Sequence, residues 1–175
     1  MNSNKNLCNV VELADMTGEE FSRCLEAITL QHANGKVRSG SWQEDGSLER
    51  SRRITTDLLP QGQRTPGHYF YTIRDGSTRE CVGSIWLGVR GKDQEPPGAW
   101  IWDIVINENH RRKGYGRQAM LVVEKEAERL GQKAISLHVF GYNRPAIELY
   151  NNLGYETVSI VMTKSLAGKK NENIT

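Results

Sequence analysis

The stretch "INENHRRKGYGRQAM", residues 106–120, is the most informative part of the sequence, because it joins an apolar strand pattern to a helical one. Three consecutive cations precede Gly114 and Gly116, which are separated by a single residue. Glycine adopts backbone angles that other residues avoid, so successive backbone N–H groups can point at one place and hold an anion. The sequence therefore predicts an anion-binding loop at the start of a helix.

Three strand patterns precede this loop. They cover residues 68–74, 80–89 and 99–106. The segments between them are rich in Gly, Pro and Asp, which are the residues that turns prefer. Strands joined in this way pair in sequence, so we predict an antiparallel meander that leads into the loop.

The N-terminal part of the chain predicts one strand and two helices. Residues 7–13 have the apolar character of a short strand. Thr17 and Glu20 have the spacing of a capping box at the start of a helix. A second helical stretch runs from about residue 43 to 59 and ends where prolines and glycines follow.

An alternation of helix and strand follows the loop. The helix after the glycines buries one face and ends at Gly131. Residues 133–140 predict a strand, Asn143 is placed to cap a short helix, and residues 157–166 predict a last strand. This order of elements indicates an α/β fold.

Length and composition restrict the class of protein. The 175 residues fit one domain, which we assign to residues 1–166, with a polar, flexible tail at 167–175. No apolar run approaches the roughly 20 residues that cross a bilayer, and the N-terminus lacks the features of a secretory signal, so we expect a cytoplasmic protein with no membrane contact. The net charge of +2 does not favour a dedicated nucleic-acid binder.

The three cysteines suggest neither a disulfide framework nor a metal site. Cys8, Cys24 and Cys81 are far apart, and none has a CxxC partner or a nearby pair of histidines. We therefore expect no metal.

Two other phosphate-binding motifs compete for the loop. A Walker loop requires GxxxxGK followed by Ser or Thr, and Arg117 follows Gly116 here. Gly114, Gly116 and Ala119 satisfy the dinucleotide pattern GxGxxA. However, seven residues separate the strand from Gly114, and the next predicted strand carries no acidic residue for a ribose.

A third interpretation accounts for the whole segment. "RRKGYG", residues 111–116, resembles the (Q/R)xxGx(G/A) element of the Gcn5-related N-acetyltransferase (GNAT) superfamily, and the resemblance continues from about Trp100 to Leu166. It implies a mixed, strongly twisted sheet of six to seven strands with helices on both faces. It also implies acetyl-CoA as co-substrate.

The resemblance places the coenzyme on residues from three segments. Backbone N–H groups and side chains of the loop would hold the pyrophosphate, the strand before it would pair with the pantetheine arm, and the residue that begins the short helix would add a contact. These residues are Arg111, Arg112, Lys113, Gly114, Tyr115, Gly116 and Arg117 in the loop, Ile104, Val105 and Ile106 in the strand, and Asn143. Tyr115 would contribute its backbone and point its ring into the core.

Two residues are candidates for the chemistry that the resemblance implies. Tyr150, in "LYNNLGY", would donate a proton to the departing thiolate, although a purely structural tyrosine fits the same helix face. Asp103 could act as the base, hold a water, bind the acceptor or form a buried hydrogen bond. His138 and Cys81 are weaker candidates, and Trp100 occupies the position of the glutamate that histone-type relatives use.

The sequence thus predicts an N-acetyltransferase that joins acetyl-CoA and an amine in a ternary complex. The acceptor would be a small molecule or a peptide, and a homodimer is compatible with the sequence. Two alternatives stay open. One is a coenzyme-binding module without catalysis, and the other is a nucleic-acid-binding protein that uses the basic loop on phosphates.

Overall fold

A computed structural model of the protein describes residues 10–94 and 96–164. In this part of the chain a five-stranded sheet is accompanied by four helices. In chain order the elements are β1 (Val11–Asp15), α1 (Gly18–Arg38), α2 (Ser47–Leu58), β2 (His68–Asp75), β3 (Cys81–Arg90), β4 (Gly98–Ile106), α3 (Tyr115–Arg129), β5 (Ile135–Leu137) and α4 (Arg144–Asn151). Single 3₁₀ turns lie at Gly62–Arg64 and Glu108–His110.

The sheet is mixed and follows the chain order, β1-β2-β3-β4-β5. Strands β2, β3 and β4 pair antiparallel in sequence, which confirms the predicted meander, and β1 pairs antiparallel with β2 as well. Strand β5 pairs parallel with β4, because α3 carries the chain back across the sheet before β5 begins.

Helices cover both faces of the sheet. Successive strand residues point to opposite faces, so Tyr71 and Ile73 pack toward α3 while Phe70 packs toward α1. Met120 and Val123 of α3 are completely buried in the first core. No helix in the described part of the chain is long and apolar enough to cross a membrane.

The predicted capping box at the start of α1 is present. The Glu20 N–H donates to Thr17 Oγ1 at 3.2 Å, and the Thr17 N–H donates to Glu20 Oε2 at 2.9 Å. The other Glu20 carboxylate oxygen pairs with Arg74 of β2 at 2.9 Å. The cap thus also attaches α1 to the sheet.

The prediction of six to seven strands exceeds the five strands that the described part of the chain forms. Residues 157–164 form no strand, and the side chains of Val158 and Val161 are 85% and 92% exposed. A strand pattern needs a partner edge, and the neighbouring edge strand, β5, extends over only three residues instead of the predicted 133–140. Residues 7–9, 165–166 and the 167–175 tail lie outside the described residues.

A β-bulge interrupts the regular pairing of β3 and β4. The register between β3 and β4 pairs Trp86 with Asp103 and Leu87 with Ile101, so Trp102 is an extra residue in β4. A β-bulge of this kind increases the local twist and re-aims the side chains beside it. Strand β4 pairs with β5 only through residues 99–101, so the two strands separate after the bulge.

Candidate functional site

A cavity of about 420 Å³ opens where β4 and β5 separate. Its floor is formed by β4 at the bulge, and the end of β5 and α4 form one wall. Helices α1 and α2 form the opposite wall. The predicted site residues Asp103, Ile104, Asn143 and Tyr150 all line this cavity, so the fold brings together residues from two of the three predicted segments.

Asp103 has a carboxyl oxygen without a hydrogen-bond partner among the described residues. Its Oδ2 atom is buried and accepts no hydrogen bond from the described residues. Burial disfavours the charged form and raises the pKa of Asp103 to about 7. The group can therefore gain or lose a proton near neutral pH, which a general base requires.

Tyr150 lies in α4 with its side chain half-buried in the same cavity. Burial and then the charge of Asp103 raise the pKa of Tyr150 to about 12. Its hydroxyl is consequently protonated at neutral pH and available as a donor. The Tyr155 ring packs 5.8 Å from the Tyr150 ring, centroid to centroid, and helps to fix its position.

The glycine loop has the geometry of a helix entry that can bind an anion. Gly114 is the N-cap of α3 and has φ +88°, a left-handed conformation that favours glycine. The first N–H groups of a helix have no partner within it, and the first turn of α3 carries no acidic side chain. The Tyr115 ring is buried, as predicted, and its hydroxyl donates to Asp75 at 2.6 Å.

The four cations of the loop do not have equivalent surroundings. Arg111 folds back, since its Nε donates to the Ile106 carbonyl at 3.0 Å and its Nη1 lies 3.3 Å from Glu108. The side chains of Arg112 and Arg117 are exposed and form no hydrogen bond or ion pair with the described residues. Lys113 is exposed as well. Arg112 has φ +63°, so the turn is tight at this residue.

Strand β4 beyond the bulge offers an open edge. Ile104, Val105 and Ile106 pair with β3 on one side, and none of them has a partner in β5. Asn143 is the N-cap of α4, but its side chain forms no capping hydrogen bond, contrary to the prediction. The exposed Asn143 amide is left to face the cavity.

Sequence reasoning missed the aromatic and basic residues that the cavity takes from other elements. Trp86 of β3 and Trp102 of β4 stack with centroids 5.5 Å apart, and both line the cavity. Gly88 makes this possible, because a Cβ at that position would lie 2.3 Å from Trp102 Nε1. The alternation of tryptophan with other residues in "WIWD", residues 100–103, was the sequence signal for this aromatic cluster.

Helix α1 also contributes two residues, His32 and Lys36, which are four positions apart and therefore lie on one helix face. The spacing was visible in the sequence, but nothing there pointed the face at the cavity. Within the described residues, no group of three or more His, Cys, Asp or Glu side chains could hold a metal ion.

Comparisons with known proteins agree on one family. The acetyltransferase (GNAT) family profile matches residues 30–155. An uncharacterized N-acetyltransferase of Bacillus subtilis (strain 168), YycN, is 34% identical over 157 residues, which is 89% of this chain and 99% of that protein. A second one from the same organism, YdgE, is 31% identical over 88% of this chain and 97% of its own length.

The crystal structure of YycN from Bacillus subtilis has the same fold. It superposes with a TM-score of 0.84 at 32% identity, and the match covers 91% of this chain and all of that one.

Proposed function

The chain belongs to the acetyltransferase (GNAT) family, and we propose that it transfers an acetyl group from acetyl-CoA to an amine by direct attack in a ternary complex. The observation that carries this proposal is the pair of groups in the cavity. A buried carboxyl group with an unpartnered oxygen and a protonated tyrosine lie together where β4 leaves β5.

The residues present fit the coenzyme. The N-terminus of α3, opened by Gly114, suits a pyrophosphate, and Arg112 and Arg117 add positive charge there. The unpaired edge of β4 at residues 104–106 suits an extended amide-containing arm, which would add to the strand as a peptide does. Asn143 lies beside the path from this edge to Tyr150.

When bound, acetyl-CoA supplies a thioester whose acyl carbon is open to attack and whose thiolate can leave. Asp103 takes the proton that an ammonium group must lose before it can attack, and its pKa of about 7 suits this transfer at neutral pH. The stacked Trp86 and Trp102 line the same cavity, and the Oδ2 atom of Asp103 is buried away from water.

Tyr150 holds the proton that the departing thiolate needs. Its hydroxyl stays protonated up to high pH because of burial and the nearby Asp103, so it can donate to a developing thiolate. A backbone N–H of residues 104–106 would stabilise the negative charge that develops on the carbonyl oxygen. With these three groups the chain provides a base, an acid and an oxyanion donor.

The acceptor is an amine on a small molecule or a peptide. The direct test combines binding and turnover. Acetyl-CoA should raise the thermal stability of the protein, whereas NAD should not, and addition of an accepted amine should release free thiol and yield the N-acetylated amine. A protein that binds acetyl-CoA but acetylates no amine in a broad panel would instead be the binding module without catalysis.

A further inference from the structure

The charges that line the cavity have an asymmetric distribution. Among the described residues of the lining, Asp103 is the one carboxylic acid and Lys36 the one fixed cation. Asp103 lies on β4 at the bulge, whereas Lys36 lies in the last turn of α1, next to Gly35, which packs against Phe140. The acidic and basic groups therefore lie over different parts of the cavity.

The basic end of the cavity is assembled from three elements. Lys36 of α1 is half-buried and has no ion pair with the described residues. His32 Nδ1 lies 3.0 Å from Ser51 Oγ of α2, which fixes the orientation of the ring. Partial burial and then the charge of Lys36 lower the pKa of both His32 and His138, which favours the neutral form of the two imidazoles.

A second cation and an aromatic pair border this end. The Arg38 guanidinium lies 4.1 Å above the Tyr142 ring, and Tyr142 stacks on Phe140 with centroids 5.3 Å apart and planes 7° apart. Phe140 can approach α1 this closely because position 35 is glycine, where a Cβ would lie 2.6 Å from the Phe140 ring. Aromatic rings thus line the cavity both at the basic end and beside Asp103.

From this arrangement we propose that the acceptor is a primary amine that carries an anionic group at the opposite end of a flat, apolar body. The amine would lie at Asp103, the body between the aromatic side chains, and the anion at Lys36. This inference rests on the proposed function and specifies its substrate class. A polyamine or other polycation would place a second positive charge against Lys36, which costs affinity.

The reaction balances without any further reactant. The new bond forms between the amine nitrogen and the acetyl carbon, and the bond between that carbon and sulfur breaks. One proton of the ammonium group passes to Asp103 before attack and is later released to solvent. Tyr150 gives its proton to the departing thiolate, and the second proton lost by the nitrogen restores the Tyr150 hydroxyl. The anionic group of the acceptor takes no part in the chemistry and acts only in binding.

Three benzylamines of nearly equal shape test the inference. They are 4-(aminomethyl)benzoate, benzylamine and 1,4-bis(aminomethyl)benzene, whose far ends are anionic, neutral and cationic. Calorimetric titration into the protein saturated with coenzyme A measures binding without turnover, and thiol release with acetyl-CoA measures kcat/KM. We expect the benzoate to bind at least about tenfold more tightly than benzylamine, and we expect the diamine to bind most weakly of the three.

Reversing the charge at the basic end should reverse this order. Lys36→Glu should lower the ratio of benzoate to diamine affinity by about 100-fold, because the variant would repel the benzoate and attract the diamine. Lys125→Glu, at an exposed position of α3 outside the cavity, changes the net charge equally and should keep the wild-type ratio.

The two proposals fail in different ways. Equal affinity for the three compounds, or a preference for the diamine, overturns the inference about the acceptor, and acetylation of the diamine would still support the transferase. Tight, Lys36-dependent binding of the benzoate with no acetylation of any amine supports the pocket assignment and overturns the proposed reaction. An unchanged ratio in Lys36→Glu overturns the role of Lys36.

Discussion

Asp103 lies directly across the β3–β4 ladder from Trp86, at the bulge that leaves Trp102 unpaired. The two indoles stack with centroids 5.5 Å apart, and the carboxyl oxygen beside them has no hydrogen-bond donor among the described residues. An unpartnered buried polar group costs stability, and such costs concentrate at functional sites. The first two predictions test the stability cost of the buried Asp103 carboxyl group and its role in catalysis.

The first prediction concerns the stability of Asp103→Asn as a function of pH. The native-state pKa is about 7, above the usual value near 4, so the folded protein keeps this proton to higher pH than the unfolded chain. The contribution of Asp103 to the free energy of unfolding is therefore full at low pH and is lost as pH rises to about 7. The expected loss is on the order of 1.4 kcal/mol per pH unit within that window.

Denaturant unfolding of both proteins between pH 4 and 8.5 measures this difference. Asn lacks the titration, so the stability of the variant relative to wild type should increase up to about pH 7 and then stay constant. Asp45→Asn, at an exposed position, is the matched control. Parallel curves for wild type and Asp103→Asn would mean that the carboxyl is not desolvated.

The second prediction concerns the rate of the same variant. If ionised Asp103 is the base, kcat at saturating amine should rise tenfold per pH unit below about 7 in wild type and then level off. Asp103→Asn should lose that limb and at least about 10²-fold in kcat at pH 8. A raised KM with an unchanged kcat profile would make Asp103 an acceptor-binding group instead.

The third prediction separates strain from ligand binding at the two ends of α3. Gly114 has φ +88° and Gly131 has φ +77°, and a Cβ on either would meet no other atom within 4 Å. Substitution by Ala should therefore destabilise each variant by about 1–2 kcal/mol through backbone strain alone. Only Gly114→Ala should also lower acetyl-CoA affinity, by about tenfold or more, because only that end would hold the pyrophosphate.

Chemical denaturation and calorimetric titration of the two variants give both numbers. Equal losses of acetyl-CoA affinity at Gly114 and Gly131 would show that binding responds to helix stability and not to the loop. Gly116 is less suitable for this comparison, because its Cβ would contact Leu149 of α4 at 3.4 Å.

The fourth prediction distinguishes Arg111 from Arg112. Arg112 is exposed and should act on phosphate mainly through its charge. Arg112→Ala should therefore lower acetyl-CoA affinity about three- to tenfold. The loss of affinity should be smaller at 0.5 M salt, because salt screens an exposed charge. Arg111 bonds to the Ile106 carbonyl and shapes the loop, so the effect of Arg111→Ala should persist at high salt. Arg53→Ala, exposed on α2, serves as control. Identical salt dependence of the two loop variants would refute this division.

The parts of the fold that depend on local signals were predictable from the sequence. The capping box at Thr17, the meander and the helix that follows Gly114 each have a pattern within a few residues, and the structure confirms all three. The last strand was not predictable in this way. Its alternating apolar residues indicate a strand, but pairing depends on the length of β5, which the local pattern overestimated.

The same distinction between local patterns and long-range packing applies to the site residues. Asp103 and Tyr150 could be selected because a family motif lies close to each, and the structure places both in one cavity. Lys36 could not be selected, because its role depends on how α1 packs against the segment that follows β5. The contact of Gly35 with Phe140 in that packing joins residues more than 100 positions apart. Helix periodicity shows which residues share a face and not what that face meets.

The central claim is that this cavity transfers an acetyl group with Tyr150 as proton donor. The direct test is the single-turnover rate of thiol release from acetyl-CoA with a saturating accepted amine, in wild type, Tyr150→Phe and the control Tyr69→Phe on β2, outside the cavity. We predict a rate about 10²-fold lower in Tyr150→Phe, with acetyl-CoA affinity nearly unchanged and wild-type behaviour in the control. A wild-type rate in Tyr150→Phe would contradict the claim.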